Sequence, residues 1–161
     1  MPEEIVVRDA RPGDAEFLVR GNAAMALETE GLSLDLDRLR AGVFALFDDP
    51  SRGRYFIAEL GGRRAGQLMI TYEWSDWRNG CFWWIQSVWV EPELRGRGVF
   101  RLLYSHVRAL ARATPGVCGL RLYVERSNAR AREVYLRCGM HQTSYEVFEE
   151  DFVLTRDHGG G

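Results

Sequence analysis

Residues 82–111 read FWWIQSVWV, then EPELRGRG, then VFRLLYSHVRALA, and the hydrophobic pattern changes twice along this stretch. The first nine residues are apolar on both faces for much of their length, which is typical of a strand inside a sheet. From Val99 to Ala111 the apolar side chains recur at the spacing of one helix face. The stretch therefore predicts a buried strand, a glycine-rich loop and an amphipathic helix, in that order.

The loop between these two elements, Arg95-Gly96-Arg97-Gly98, has the composition of an anion-binding site. Its glycines allow backbone N–H groups to converge, and the helix that follows favours negative charge at its first turn. The two arginines add guanidinium donors for phosphate oxygens. The dinucleotide-binding fingerprint is not met, because Arg101 stands where a third glycine would lie. Surface turns rich in Arg and Gly are common, so the loop alone also fits a solvated turn.

The rest of the chain supplies the elements of one mixed α/β domain. Helices are predicted over residues 14–30, 35–47 and from Ser127 or Asn128 to Gly139, and strands over residues 5–7, 55–60, 65–73, 120–124, 145–148 and 152–154. The turn Gly61-Gly62 predicts a hairpin between two of these strands. We expect residues 1–156 to form a single domain and residues 157–161 to form a flexible tail.

The composition excludes several classes of protein. The chain has 161 residues with 21 basic and 23 acidic side chains, a formal net charge of -2, so the basic excess typical of nucleic-acid-binding domains is missing. Every one of these basic residues is Arg, and without Lys neither a Walker loop nor a Schiff-base nucleophile can form. Three widely spaced cysteines without a C-x-x-C pair favour reduced thiols over a zinc site or a disulfide framework.

The N-terminus and the apolar runs bear on localisation. The first ten residues contain acids and lack the apolar segment of a signal peptide, and no apolar run approaches the length of a membrane span. We therefore expect a cytoplasmic protein that binds neither a membrane nor a metal. A homodimer is left open.

Residues 88–98 resemble the acetyl-CoA-binding motif of the GNAT N-acetyltransferase superfamily. That motif runs Arg or Gln, two residues, Gly, one residue, then Gly or Ala. Arg95 and Gly98 match its first two fixed positions, and Phe100 stands where a small residue is usual. The order of elements is similar along nearly the whole chain, and residues 25–35 and 73–89 look like those of bacterial members.

A second stretch resembles another motif of the same superfamily. Strand residues 122–124 are followed by Asn128, by Tyr135 and by Cys138-Gly139-Met140. Asn128 and Tyr135 are seven residues apart, so they lie on one helix face about 10 Å apart. In the family the matching Asn contacts the pantetheine arm and the matching Tyr faces the thioester sulfur.

The resemblance implies a GNAT-like fold, in which helices flank a central mixed, mostly antiparallel sheet. It also implies an acetyl-CoA-dependent N-acetyltransferase, with acetyl-CoA as cosubstrate and the primary amine of a small molecule or peptide as acceptor, reacting directly in a ternary complex without a metal. The backbone of residues 88–90 would bind the acetyl arm, and Tyr135 would protonate the departing sulfur. The residues implied in acetyl-CoA binding are Val88, Trp89, Val90, Arg95, Gly96, Arg97, Gly98, Val99, Phe100 and Asn128.

A general base is harder to assign, because the strand at residues 82–90 contains neither Asp nor Glu. Glu30 ranks first, since the loop after the first helix forms the acceptor wall in the family. The alternatives are Glu28, Glu73, Asp76 or a water held by Gln86.

Glu28, Glu73 and Gln86 are also the predicted acceptor-binding residues, and their acidic members suggest a cationic amine. The competing interpretation treats the acidic residues as a solvated face and Tyr135 as part of the core. The protein is then a catalytically weak CoA-binding sensor or interaction module of the same fold. The tryptophans either line an acceptor pocket or belong to the core, and they are Trp74, Trp77, Trp83, Trp84 and Trp89.

Overall fold

The computed structural model of the protein describes residues 3–154. Its strands are β1 (Ile5–Asp9), β2 (Arg54–Leu60), β3 (Arg63–Ser75), β4 (Gly80–Val90) and β5 (Val117–Leu122). Its helices are α1 (Ala15–Glu30), α2 (Leu36–Asp48), α3 (Val99–Ala113) and α4 (Ala129–Arg137), and short 3-10 turns lie at Pro12–Asp14 and Pro92–Leu94. The chain divides into two compact units, one ending at Ser127 and one beginning at Asn128. The mixed α/β class is confirmed.

The five strands form one sheet in the order β1-β2-β3-β4-β5. Strands β1 to β4 pair antiparallel with their neighbours, whereas β5 runs parallel to β4. A parallel pair needs a long crossover connection, and α3 supplies it between β4 and β5. The mixed, mostly antiparallel sheet that the family resemblance implied is therefore confirmed, and β4 has a neighbouring strand on each side.

The hydrophobic core of the first unit lies on both faces of this sheet. Phe56 and Ile57 are adjacent on β2, so their side chains point to opposite faces. Ile57 belongs to a buried cluster with Leu18 of α1 and Val43 of α2. Phe56 instead packs its ring against His106 of α3, with the ring centroids 5.5 Å apart. Helices α1 and α2 therefore cover one face, and α3 covers the other.

Local signals in the sequence set the helix ends. Helix α1 ends at Gly31, whose φ of 61° is the left-handed conformation that glycine adopts at little cost. Helix α2 begins after Asp35, whose carboxylate accepts hydrogen bonds from the backbone N–H groups of Asp37 and Arg38. Both ends lie within one residue of the predicted boundaries.

The strand predictions near the C-terminus are wrong within the described residues. Residues 145–148 and 152–154 form no strand in that part of the chain, and the Phe148 and Phe152 side chains are 93% and 88% exposed. A short apolar run becomes a strand only where another strand pairs with it. Strand β5 also begins earlier than predicted, at Val117. The predicted tail at residues 157–161 lies outside the described residues.

Two expectations drawn from composition concern thiols and membranes. Cys81, Cys118 and Cys138 are free thiols of intermediate burial. Among the described residues, no helix combines the length and the apolar character that a bilayer crossing requires.

Asp14 joins β1, β3 and the turn before α1 through a buried carboxylate that is 2% exposed. The carboxylate accepts hydrogen bonds from Arg8 Nη1 at 2.8 Å, Arg64 Nε at 2.7 Å and the backbone N–H of Arg11 at 2.7 Å. Burial acts to raise the pKa of Asp14, but the hydrogen bonds from Arg8, Arg11 and Arg64 outweigh it and hold that pKa well below its usual range. The ionised form of Asp14 therefore stabilises the fold.

We predict that Asp14→Asn lowers the free energy of unfolding by about 3 kcal/mol at pH 7, because two guanidinium groups lose a buried charged partner. The folded pKa lies below the unfolded one, so this stabilisation is complete above about pH 4 and declines as the pH falls further. Urea denaturation at pH 7 and pH 3 measures both effects. The control is Asp9→Asn, which removes an exposed ion pair with Arg54 and should lower the free energy of unfolding by less than about 1 kcal/mol. An equal loss at both pH values for Asp14→Asn would contradict the account.

Candidate functional site

Strands β4 and β5 separate before β4 ends. Their parallel pairing reaches Ile85 and Leu122, and β4 then continues to Val90. Within residues 3–154, no strand pairs with residues 86–90 on the β5 side. An unpaired strand edge presents backbone N–H and C=O groups with which an extended ligand can form hydrogen bonds. We call residues 86–90 the open edge.

A β-bulge lies within the open edge. On β3, Gln67 pairs with Trp89 and Met69 pairs with Gln86. Between these pairs β3 has one residue, Leu68, whereas β4 has two, Ser87 and Val88. Ser87 has a φ of 50°, a conformation that residues other than glycine rarely adopt. The extra residue puts the side chains of Gln86 and Trp89 on the same face of the sheet, although they are three positions apart.

The loop after β4 has the geometry of an anion-binding site. Gly96 and Gly98 have φ values of 79° and 84°, and α3 begins directly after them at Val99. A Cβ added to either glycine would meet nothing within 4 Å, so both are required by backbone conformation and the space beyond them is open. The first turn of a helix has backbone N–H groups without a partner inside the helix, and in α3 this turn adjoins that space. The predicted order of strand, loop and helix is confirmed.

Arg95 connects this loop to the end of α1. Its Nε donates to the carbonyl oxygen of Val90 at 3.0 Å, and its Nη2 donates to Glu28 Oε2 at 2.9 Å. The structure thus brings a predicted acetyl-CoA residue and a predicted acceptor residue into direct contact. Both side chains are about two-fifths exposed, so their ion pair contributes under about 1 kcal/mol and acts mainly to hold the loop in position.

Phe100, which stands where the family motif has a small residue, is partly buried in the first turn of α3. Its ring lies 6.2 Å from the ring of Tyr104, which follows one turn later. Phe100 therefore packs along the helix. Arg97 is exposed in the loop beside it.

The acceptor residues predicted from the sequence do not all lie together. Gln86 lies in the open edge, and its Nε2 donates to Thr71 Oγ1 at 2.5 Å. Gln86 pairs with Met69, and Glu73 lies four residues beyond Met69 on β3, about 13 Å along the strand. The Glu73 carboxylate accepts a hydrogen bond from Arg121 Nη1 at 2.6 Å. Asp76 lies further away still, in the turn after β3, where it accepts from the backbone N–H of Trp77.

Glu30, predicted as the base, is the last residue of α1 and is exposed. Glu28 lies on the same turn and is held by Arg95. The contact between Glu28 and Arg95 therefore places the last turn of α1 beside the loop.

A pair of aromatic rings lies where β4 and β5 part. The rings of Trp84 and Tyr123 have centroids 4.5 Å apart, and Trp84 points to the same face as Gln86 because it is two residues earlier on the strand. Tyr123 is 57% exposed. Tyr123 was not predicted as a site residue, since its position beside Trp84 depends on the register of β4 and β5. Of the other tryptophans, Trp83 and Trp89 are buried, whereas Trp74 and Trp77 are exposed.

Asn128 and Tyr135 belong to the second unit. Asn128 caps α4, and its side-chain oxygen accepts a hydrogen bond from the backbone N–H of Ala131 at 3.1 Å, as expected for a helix N-terminus. Burial, with a smaller contribution from Cys138, raises the pKa of Tyr135. Tyr135 therefore keeps its phenolic proton at neutral pH.

Two buried polar residues near the loop were missed from the sequence. Glu91 directly follows β4, and its buried carboxylate accepts from Arg20 Nη2 of α1 at 2.5 Å. Gln67 is fully buried in β3. Two signals in the sequence could have identified them. Gln67 interrupts the apolar run at residues 65–70, and Glu91 is an acid directly before Pro92.

A cavity of about 520 Å³ lies elsewhere, between α1, the β2–β3 hairpin and the turn after β4, and is lined by Arg20, Arg63, Glu91 and Glu93 among others. None of the predicted site residues lines it. Arg20 pairs with Glu91 and Arg63 pairs with Glu93, so these charges already neutralise one another. The open edge and the loop are the better candidate site.

Comparison with known proteins gives a consistent result. Residues 24–140 match the Acetyltransferase (GNAT) family. A possible acetyltransferase from Clostridium difficile 630 is 39% identical, with a TM-score of 0.85 over 93% of this chain and 99% of that chain. A predicted acetyltransferase with acetyl-CoA from Clostridium acetobutylicum is 17% identical, with a TM-score of 0.74 over 91% of this chain and 96% of that one, and shows the fold alone.

Mycothiol acetyltransferase of Corynebacterium aurimucosum is 26% identical over 147 residues, which are 89% of this chain. The match spans 46% of that protein, so this chain corresponds to about half of its curated relative.

We predict opposite effects of two glycine-to-alanine changes that differ in backbone conformation. Gly98→Ala should lower the free energy of unfolding by about 1–2 kcal/mol, because its φ of 84° is strained for an L residue. Gly42→Ala, in the exposed middle of α2 with equally open space, should raise it by about 0.5–1 kcal/mol. Urea denaturation of both variants measures the difference. Equal stability of the two would show that the loop tolerates another conformation at Gly98.

Proposed function

This chain belongs to the GNAT family of acetyltransferases, and on that basis we propose that it transfers an acetyl group from acetyl-CoA to a primary amine. The acceptor is a small molecule or a peptide, and it attacks the thioester directly in a ternary complex. The observation that carries the proposal is the continuous path from the open edge of β4 to the glycine loop and the first turn of α3.

Acetyl-CoA would bind along this path as a substrate. The N–H groups at residues 96–100 and the Arg97 side chain suit the pyrophosphate, because a helix N-terminus and a guanidinium both favour anions. The backbone of Val88, Trp89 and Val90 suits the acetyl arm. Asn128 is assigned to the pantetheine arm by its match to the family motif.

The reaction places three demands on the protein. The amine nitrogen bonds to the carbonyl carbon, the carbon–sulfur bond breaks, and the oxyanion formed in between needs a donor, which the N–H groups of the open edge provide. Tyr135 then gives its proton to the sulfur, and its raised pKa keeps that proton available. A thiolate with an ordinary pKa of about 8.5 leaves readily, so this contribution is modest.

An alkyl amine, with a pKa of about 10, must lose a proton before it attacks. We assign this role to Glu30, because it ends α1 and the loop after the first helix forms the acceptor wall in the family. Removal of the amine proton by a carboxylate or through one water is general base catalysis.

The ion pairs that Glu28 and Glu73 form with arginines also affect how the acceptor can be bound. Two of the acids predicted to attract a cationic amine are already neutralised by arginines. We therefore assign contact with the acceptor's body to the aromatic pair of Trp84 and Tyr123, with Gln86 as the polar contact.

One observation favours a second function. Strand β4 carries no carboxylate between Gly80 and Val90, so no base extends from the strand that borders the site. A protein that binds CoA as a sensor or interaction module needs the loop but no base.

We predict acetyl-CoA-dependent turnover with a panel of amines that includes arylalkylamines, aliphatic diamines and peptide N-termini. Release of the CoA thiol gives the rate, and mass spectrometry of the products locates the acetyl group on nitrogen. Arylalkylamines should give the highest kcat/KM, since they can contact the Trp84–Tyr123 pair. Binding of acetyl-CoA without turnover of any amine would instead support the sensor function.

We predict that Tyr135→Phe lowers kcat about tenfold, less than the usual loss of a general acid because a thiolate leaves readily, and changes acetyl-CoA affinity by less than about twofold. Steady-state kinetics and calorimetry measure the two quantities. Tyr145→Phe, at a side chain 71% exposed, is the matched control. An unchanged kcat in Tyr135→Phe would assign Tyr135 to packing alone.

A further inference from the structure

Gln67 is a fully buried amide within the apolar part of β3, residues 65–70. Its side chain is 0% exposed, and its neighbours on β3 include Ala65, Leu68 and Ile70, which are also fully buried. Its Nε2 donates to the carbonyl oxygen of Ser87 at 3.2 Å, whereas its Oε1 is buried without a hydrogen-bond partner among the described residues. A buried amide that is only half satisfied is rare, so its presence needs a reason.

The carbonyl that Gln67 holds belongs to the strained residue of the bulge. Ser87 has its φ of 50° at the position where such bulges usually have glycine. Because a carbonyl can only accept a hydrogen bond, the amide nitrogen of Gln67 must be the atom that faces it. The hydrogen bond from Gln67 therefore acts on the residue that would most readily relax to another conformation.

Helix α1 closes over this contact at Gly21. A Cβ at Gly21 would collide with Gln67 Oε1 and would lie 2.9 Å from Trp89 Cε3, so only glycine allows the helix to lie this close. The close approach keeps water from the amide and fixes its orientation. Gln67 is thus enclosed between α1 on one side and the bulge of β4 on the other.

We propose that Gln67 is a positioning residue for acetyl transfer. Its amide holds the Ser87 carbonyl, and the bulge fixed in this way aims the N–H groups of Val88 and Val90 along the open edge, since the N–H of Trp89 faces β3. This role rests on the proposed function of that edge. Gln67 itself touches neither acetyl group nor amine.

Stability alone does not explain a glutamine at this position. Burying Oε1 without a partner is unfavourable, and an apolar side chain of similar size would avoid it. Replacing Gln67 by an apolar group of the same shape removes the cost of the unpartnered Oε1 but leaves the Ser87 carbonyl without its donor, so these two effects on stability oppose one another. The positioning role therefore predicts that activity falls much more than stability.

The test replaces Gln67 by Met, which has nearly the same length and shape, with Gln67→Leu as a second variant. The urea midpoint should stay close to that of the wild type. Amide hydrogen exchange at residues 87–90 should become at least tenfold faster in the protein without ligand. With acetyl-CoA and an amine, kcat should fall about tenfold or more while KM for acetyl-CoA changes less, because donors for the oxyanion are misplaced.

Met69→Leu is the matched control, since Met69 is the next residue on the same face of β3 and packs against the α1 core. It should leave exchange at residues 87–90 unchanged. Adding Ser87→Gly to Gln67→Met should restore part of the lost kcat, because glycine keeps a positive φ without being held. Absence of this rescue would overturn the claim that Gln67 acts through Ser87.

A lower urea midpoint with unchanged exchange and unchanged kcat would make Gln67 a purely structural residue and would overturn the proposal. If the wild-type protein neither binds acetyl-CoA nor acetylates an amine, the proposed function fails. The exchange measurement is then still decisive for the bulge, because it requires no ligand. Unchanged exchange in Gln67→Met overturns the positioning role in either case.

Discussion

Backbone N–H and C=O groups need hydrogen-bond partners. Because β4 and β5 separate after Ile85, residues 86–90 have no strand partner on the β5 side within the described part of the chain. The bulge at Ser87 twists the end of β4, and the open edge continues into the loop with Gly96 and Gly98. The open edge and the first turn of α3 thus follow one another along the chain. We propose that acetyl-CoA, which is extended at one end and anionic at the other, satisfies both.

This arrangement is held by contacts from α1. Arg20 binds the buried carboxylate of Glu91 at the end of β4, and Glu28 binds Arg95 in the loop. The base of α1 is fixed in turn by Asp14, whose carboxylate joins β1 and β3 to the turn before the helix. The Glu28–Arg95 pair contributes position more than stability, because both side chains are about two-fifths exposed. These contacts keep the helix that carries Glu30 beside the loop.

The sequence predicts those parts of the fold whose signals are local. Apolar periodicity identified the helices, and the glycine pairs identified the hairpin and the loop before α3, because each depends on residues a few positions apart. The strands predicted at residues 145–148 and 152–154 are wrong because a strand requires a partner that the local sequence does not specify. For the same reason the pairing of Glu73 with Arg121, 48 positions away, and the hydrogen bond from Gln67 to the bulge were not predictable.

The most direct test of the account is to titrate acetyl-CoA into isotope-labelled protein and follow every backbone amide resonance by NMR. We expect the largest changes at residues 86–90 and 96–101, with no comparable change at residues 62–64 of the separate cavity. Changes confined to the cavity between α1 and the β2–β3 hairpin would contradict the assignment of the site to the open edge and the glycine loop.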